Sequence, residues 1–144
     1  MLVRQILTSK ANDGVLSLKP TAKVTEAVKL LSDKRIGTVV ISKNGKTPDG
    51  ILSERDIVRE LGARGVEALE GTVAEMMTKK PTTCTEADSA DGVLGVMTEG
   101  RFRHLPVMRD GEMIGLISIG DVVKARLSEL SMEKDALQGM IMGH

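Results

Sequence analysis

The chain has no tryptophan, no tyrosine and one phenylalanine, Phe102. That removes the aromatic platforms on which single-stranded bases stack. Its core must be aliphatic, with nine methionines as adaptable filler. A single cysteine, Cys84, excludes an internal disulfide framework, a CxxC motif and a zinc cluster. Two unclustered histidines, His104 and His144, give no basis for a transition-metal site. Neither sign of charge is in excess, since 20 Lys+Arg offset 20 Asp+Glu. That balance argues against a dedicated nucleic-acid binder, which needs a cationic surface to displace counterions. No run approaches the roughly 20 apolar residues of a membrane span. MLVRQILTSK lacks a signal-peptide h-region, so no membrane insertion is expected and the cytoplasm is the expected address. Neither a P-loop pattern nor GxGxxG is present. What remains is 144 residues, 41% hydrophobic and 28% charged. This is the composition of a soluble globular protein, with room for one domain or two small units sharing a core.

An internal repeat organises those residues. Shifted by 66, Leu16-Ser17-Leu18 falls on Thr82-Thr83-Cys84, and Arg35-Ile36 on Arg101-Phe102. The same shift puts Val39-Val40-Ile41 on Leu105-Pro106-Val107 and Asn44-Gly45 on Asp110-Gly111. After one inserted residue the shift is 65. Gly50-Ile51-Leu52-Ser53 then meets Gly115-Leu116-Ile117-Ser118, and Asp56-Ile57-Val58 meets Asp121-Val122-Val123. Upstream, Val3–Leu7 resembles Val73–Met77 at a shift of 70.

Each copy reads as a short leader helix (2–8; 73–78), a strand (15–18; 81–84), a helix, and a strand (38–42; 104–108). A second strand (50–53; 113–117) and a second helix (54–61; 119–130) follow. Val24, Ala27, Val28, Leu30 and Leu31 mark the apolar face of the first long helix, and Val93, Leu94, Val96 and Met97 that of its counterpart. Asn44-Gly45 and Asp110-Gly111 are hairpin signals, because both turn positions must tolerate positive φ. The fold class is α+β, built of two β-α-β-β-α units. One unit alone is too small for a sufficient core, and two packed sheet against sheet would supply one. The expected organisation is repeat one at 1–62, a linker at 63–72, repeat two at 73–128 and a helical extension at 129–144. In the extension Leu127, Leu130, Leu137 and Ile141 keep a 3-4 spacing that Lys134 interrupts. That helix lies on its own domain or contacts a second subunit.

The strongest chemical signal is the duplicated segment Gly-h-h-Ser-x-x-Asp-h, with h aliphatic, at 50–57 and 115–122. Each serine sits where a strand becomes a helix, so its hydroxyl can cap orphan amides. The Asp three residues on completes a variant capping box and suits the helix dipole. The same carboxylate, facing a cleft, can accept both hydrogen bonds of a ribose diol, while helix-start amides meet a phosphate. Arg101, Arg103 and His104 gather cations beside the strand marked by Pro106, and Arg55, Arg59 and Lys124 lie on the helices after the serines. His104 is read as a phosphate-facing or surface group, because no nucleophile with an orienting partner accompanies it. Cys84 is read as a small buried hydrophobe.

These residues resemble a known family. The duplicated segments, RFRHLPV at 101–107, KRIGTVVI at 34–41 and VAEMMTKKPTTC at 73–84 look like a tandem pair of cystathionine β-synthase (CBS) domains, the Bateman module, over residues 1–130. The resemblance implies two repeats packed through their sheets about a pseudo-twofold axis, with two clefts for adenine nucleotides: AMP, ADP, ATP, S-adenosylmethionine or a dinucleotide of the NAD(H) type. It implies that Asp56 and Asp121 hold ribose hydroxyls, with Ser53 and Ser118 beside ribose or phosphate. The Asp121 cleft would use Arg103 and His104 for phosphate, with Val15, Leu16, Ile36, Gly37 and Thr38 around the base. The Asp56 cleft would use Thr78, Pro81, Thr82, Arg103 and His104 around the base, and Arg55 for phosphate. Ile51, Leu52, Leu116 and Ile117 offer aliphatic contact to a base. Repeat one has Gly37-Thr38 where repeat two has Arg103-His104, which favours the Asp121 cleft for a phosphate-bearing ligand.

The leading expectation is a non-catalytic, nucleotide-sensing regulatory module, homodimeric and acting on an unidentified protein partner in trans. The alternatives are a structural dimerisation module with vestigial clefts and, behind it, a small nucleotide hydrolase using Asp56 and Asp121. Separate, symmetry-related clefts are poor geometry for a shared metal or an acid–base pair.

Overall fold

A computed structural model describes residues 1–10 and 14–142; His144 lies outside them. Two mixed sheets carry the molecule. In the first, β1 (Ser17–Leu18) runs parallel to β2 (Thr38–Ile41), with α2 (Val24–Lys34) between them in the chain. Strand β3 (Gly50–Ser53) pairs antiparallel with β2 and runs straight into α3 (Glu54–Arg64). In the second, β5 (Cys84–Thr85), β6 (His104–Arg109) and β7 (Glu112–Ser118) repeat the pattern, with α5 (Ala90–Gly100) and α6 (Ile119–Ile141) as the helices. The leaders are α1 (Val3–Ser9) and α4 (Val73–Met76). The mixed α+β architecture expected from the repeat is the one observed.

Several elements differ from the sequence expectation. The first strand of each repeat pairs only over Ser17–Leu18 and Cys84–Thr85, shorter than 15–18 and shifted from 81–84. Pro81 has no N–H to give a ladder, which delays pairing in the second copy. A further strand, β4 (Thr78–Lys79), pairs antiparallel with β3 and makes the first sheet four-stranded. Residues between the repeats are packed rather than loose: α3 continues to Arg64, a 3-10 helix spans Gly65–Glu70, and Ala68 is buried in the core. Helix α6 is one continuous element of 23 residues. Asp110 (φ 52) and Gly111 (φ 79) both adopt positive φ, as a two-residue hairpin requires. Asn44 does not, and its side-chain carbonyl instead accepts from the amides of Lys46 (2.8 Å) and Thr47 (2.9 Å). An Asx turn thus replaces the tight hairpin.

The core is aliphatic and double. One cluster gathers Val24, Ala27, Leu31, Val39, Ile41, Leu52 and Ile57, and the other Val93, Met97, Leu105, Val107, Ile117 and Val122. Alternation along β2 sends Val39 and Ile41 into the first cluster. Its other face, Thr38 and Val40, is buried as well, as is Pro106 of β6 at the position equivalent to Val40. That second buried face is the seam between the sheets. Cys84 lies in the second core, where burial and the nearby Asp88 push its thiol up to about 12. Val28 and Val96, expected on apolar faces, are exposed.

The leaders are exchanged. Val3 and Ile6 of α1 sit in the core of repeat two, and Val73 and Met76 of α4 in that of repeat one. Bridges between Leu2 and Ser89 and between Thr72 and Lys23 hold the two leaders at equivalent places. The motif glycines make room for them. A Cβ on Gly115 would lie 2.8 Å from Leu7 Cδ2, and one on Gly50 would strike the Met77 side chain and lie 2.9 Å from the Thr78 carbonyl. Sequence adjacency pairs each leader with the repeat that comes after it. The structure gives it to the other one, whose core it joins.

Candidate functional site

The two repeats meet at Thr38 and His104, whose Oγ1 and Nδ1 lie 3.2 Å apart and whose positions differ by the repeat shift of 66. The Glu54 amide donates to the Gly37 carbonyl at 2.8 Å, and its counterpart Ile119 donates to Arg103 at the same distance. The seam therefore carries a pseudo-twofold relation down to single hydrogen bonds. Burial, helped by Lys10 and opposed by Asp121, holds His104 below its ordinary value, with Arg103 adding to the lowering.

Both Ser-x-x-Asp segments form full capping boxes. The Ser53 hydroxyl accepts from the Asp56 amide (3.2 Å), while Asp56 Oδ2 accepts from the Ser53 amide (2.9 Å) and hydroxyl (3.0 Å). Ser118 and Asp121 match this, at 3.1 Å for the hydroxyl and 2.9 Å for the carboxylate. Each cap stabilises its helix by about 1 kcal/mol. Beyond the cap the two acids part company. Asp56 is buried, and its Oδ1 takes Arg59 Nη2 at 2.9 Å from one turn along the same helix. Asp121 Oδ2 takes Lys10 Nζ at 2.8 Å, and the same ammonium donates to the Leu116 carbonyl at 3.0 Å. Burial pushes the Asp121 carboxyl up, but the bonds from Lys10 and Ser118 outweigh it and leave it below its ordinary value.

A cleft of about 520 Å³ opens on the Asp56 side of the seam. Repeat one supplies Gly37 and Thr38, Ile51 and Ser53 of β3, and Glu54, Arg55, Asp56 and Arg59 of α3. The segment from Thr78 through Lys79, Lys80 and Pro81 to Thr82 forms a second wall, and Arg101, Phe102, Arg103 and His104 a third. Of the residues singled out in the sequence, the cleft gathers Gly37, Thr38, Ser53, Arg55, Asp56, Thr78, Pro81, Thr82, Arg103 and His104. It does not gather Val15, Leu16, Ile36, Ile117, Ser118 or Asp121. Ile117 is fully buried in the core and Leu16 is exposed. The sequence favoured Asp121 for the phosphate-bearing ligand, yet Arg103 and His104 line the Asp56 cleft while Lys10 occupies the Asp121 carboxylate. Lys79, Lys80 and Glu54 were not foreseen as lining residues. The Lys79-Lys80-Pro81 run was the only signal of the two lysines, and charge runs are common on solvated faces; Glu54 is a variable position of the Ser-x-x-Asp segment.

The chain matches the CBS-domain family over residues 3–63 and 73–128. It belongs to that family. A CBS-domain protein of Agrobacterium tumefaciens superposes with a TM-score of 0.82 at 38% identity, covering 88% of this chain and 99% of that one. A CBS-domain protein of Pyrobaculum aerophilum, solved with AMP, superposes with a TM-score of 0.77 at 28% identity, covering 92% and 99%. The mitochondrial CBS domain-containing protein CBSX3 of Arabidopsis thaliana is 36% identical over 83% of this chain, which spans 60% of the plant protein's length. The two repeats packed about a pseudo-twofold axis are thus those of a tandem CBS pair. Among the described residues no helix is long and apolar enough to cross a membrane.

Proposed function

We propose that this tandem CBS pair is a non-catalytic regulatory module of the cytoplasm that binds an adenine nucleotide in the Asp56 cleft and signals occupancy to a protein partner in trans. The cleft carries the reading. Its volume suits a small-molecule site. At one side a helix-start carboxylate, Asp56, offers Oδ1 to ribose hydroxyls in exchange for the exposed Arg59. Backbone edges at Gly37–Thr38 and Thr78–Thr82 suit an adenine, and Arg55, Arg103 and His104 suit phosphate. AMP in the Pyrobaculum relative supports the adenylate class; ADP, ATP and NAD(H) share the adenosine that this reading needs. Mass spectrometry of nucleotide released from the purified protein tests it. Adenylate or an adenine dinucleotide is expected, and release of none, with no thermal stabilisation by AMP, ATP or NADH, contradicts it.

A second observation favours a homodimer. Val58 on α3 and Val123 on α6 occupy equivalent repeat positions and are 67% and 40% exposed, with Leu127 nearby in sequence 63% exposed. Paired apolar side chains of this kind suit a twofold interface. Light scattering should give twice the chain mass, falling to one chain in Val58→Lys/Val123→Lys.

A further inference from the structure

The Asp56 cleft holds more positive charge than a monophosphate needs. Six Lys and Arg side chains line it against two carboxylates, Glu54 and Asp56, an excess of four in a chain with no net charge. Only Arg59 has a carboxylate partner; among the described residues Arg55, Lys79, Lys80, Arg101 and Arg103 have none. These five come from three separate segments converging on one cavity, so they are not one solvated helix face. Like charges gathered in a concave wall repel one another, and the cleft focuses their field on whatever enters. Two of them, Lys80 (φ 49) and Arg101 (φ 58), also sit in the left-handed backbone region that L side chains rarely adopt. At Arg101 this is the helix C-cap shared with Arg35 of the other repeat. Lys80 has no such excuse, and glycine would be easier there.

We propose that this cleft takes a nucleoside with a chain of two or more phosphates and discriminates against the monophosphate and the uncharged nucleoside. The inference rests on the adenine-nucleotide reading above and narrows it. A monophosphate carries about −1.5 to −2 charge, which leaves the cation bank largely uncompensated. Each added phosphate brings roughly one more negative charge and further acceptor oxygens for guanidinium and ammonium donors. His104, held neutral by burial and the cations around it, can serve as a hydrogen-bonding wall for the chain without adding to the repulsion.

Calorimetric titration of the whole protein with adenosine, AMP, ADP and ATP, at low and high salt, tests this. Affinity should rise with each phosphate, ATP exceeding AMP by about tenfold or more, and the gap should narrow as salt screens the cleft. Lys80→Gly/Arg101→Gly removes two cations while easing the backbone at both sites, so the fold is retained. It should bring ATP close to the wild-type AMP affinity and leave AMP nearly unchanged. AMP binding as tightly as ATP, or a double variant that weakens AMP and ATP equally, overturns the discrimination while leaving the adenine site standing. Failure of all four compounds to bind removes the site reading, and this inference with it.

Discussion

Asp56 receives its cation from its own helix, Arg59, whereas Asp121 receives Lys10 from the leader of the opposite repeat. The motif and the cap recur on both sides. The leaders differ. In repeat two α4 lasts one turn, and the chain then pairs with β3 as β4, laying Lys79 and Lys80 along the wall of an open cleft. In repeat one α1 persists to Ser9 and brings Lys10 onto the Asp121 carboxylate and the Leu116 carbonyl. Lys10 and Lys80 are equivalent at the leader shift of 70, yet one neutralises an acid and the other faces a cavity. Among the described residues the duplicated motif thus carries two different ion pairs. Lys10 at the end of one leader, and Lys79 and Lys80 after the other, make that difference.

The largest test of this comparison concerns the leaders themselves. Ile6→Ala and Met76→Ala should each cost about 2–5 kcal/mol, as buried large-to-small changes do. Exchange of the leaders means that Ile6→Ala loosens amide protection in β6 and β7 before β2 and β3, and Met76→Ala the reverse. Loosening confined to the leader's own repeat would contradict the exchange.

Next in size is the lysine at the second acid. Lys10→Met should free Asp121, raise the number of ATP sites per chain from one to two in calorimetry, and lower stability by about 1 kcal/mol. A stoichiometry that stays at one would show that Lys10 is not what closes that side.

The seam gives a smaller, pH-dependent effect. His104 binds a proton less readily when folded, so its contribution to stability is complete above its ordinary value of 6.5 and is lost as pH falls through the lower folded value. The folded value of Asp121 is also depressed, so its contribution is held above 3.8 and is lost at more acid pH. His104→Gln should flatten the fall of Tm just below pH 6.5 while leaving the more acid limb in place. An unchanged slope below pH 6.5 would exclude His104 as the titrating group.

The smallest effect is chemical. With its thiol at about 12 and buried in the second core, Cys84 should not react with a disulfide reagent at pH 8 until denaturant is added. Prompt reaction in the native protein would mean that this core opens readily.

Much of the fold was legible because its landmarks recur in order. The two Gly-h-h-Ser-x-x-Asp segments placed the strand-to-helix junctions, and the capping boxes form as their spacing implies. Short elements were not legible. A two-residue strand such as β4 has no periodicity to detect, and its pairing with β3 is a long-range event. Leader exchange was hidden because apolar Val3 and Ile6 announce burial but not the core that receives them. At the candidate site the acid, the serine and the 101–104 cations could be named from the chain. The ion pair from Lys10 could not, since its partner lies 111 residues away. Nor could the inner-wall position of Lys79 and Lys80, because adjacent lysines look the same in sequence whether they face water or a cleft.

Nucleotide binding at the Asp56 cleft is the central proposal, and the most direct measurement compares its acid with its twin. Titration of ATP into wild type, Asp56→Asn and Asp121→Asn at pH 7 should show one site per chain in wild type. Asp56→Asn should weaken it by roughly tenfold to a hundredfold, the loss expected from hydrogen bonds worth about 1.5–3 kcal/mol to a charged group. Asp121→Asn should leave it within about twofold. A site that survives Asp56→Asn and fails with Asp121→Asn would contradict the assignment.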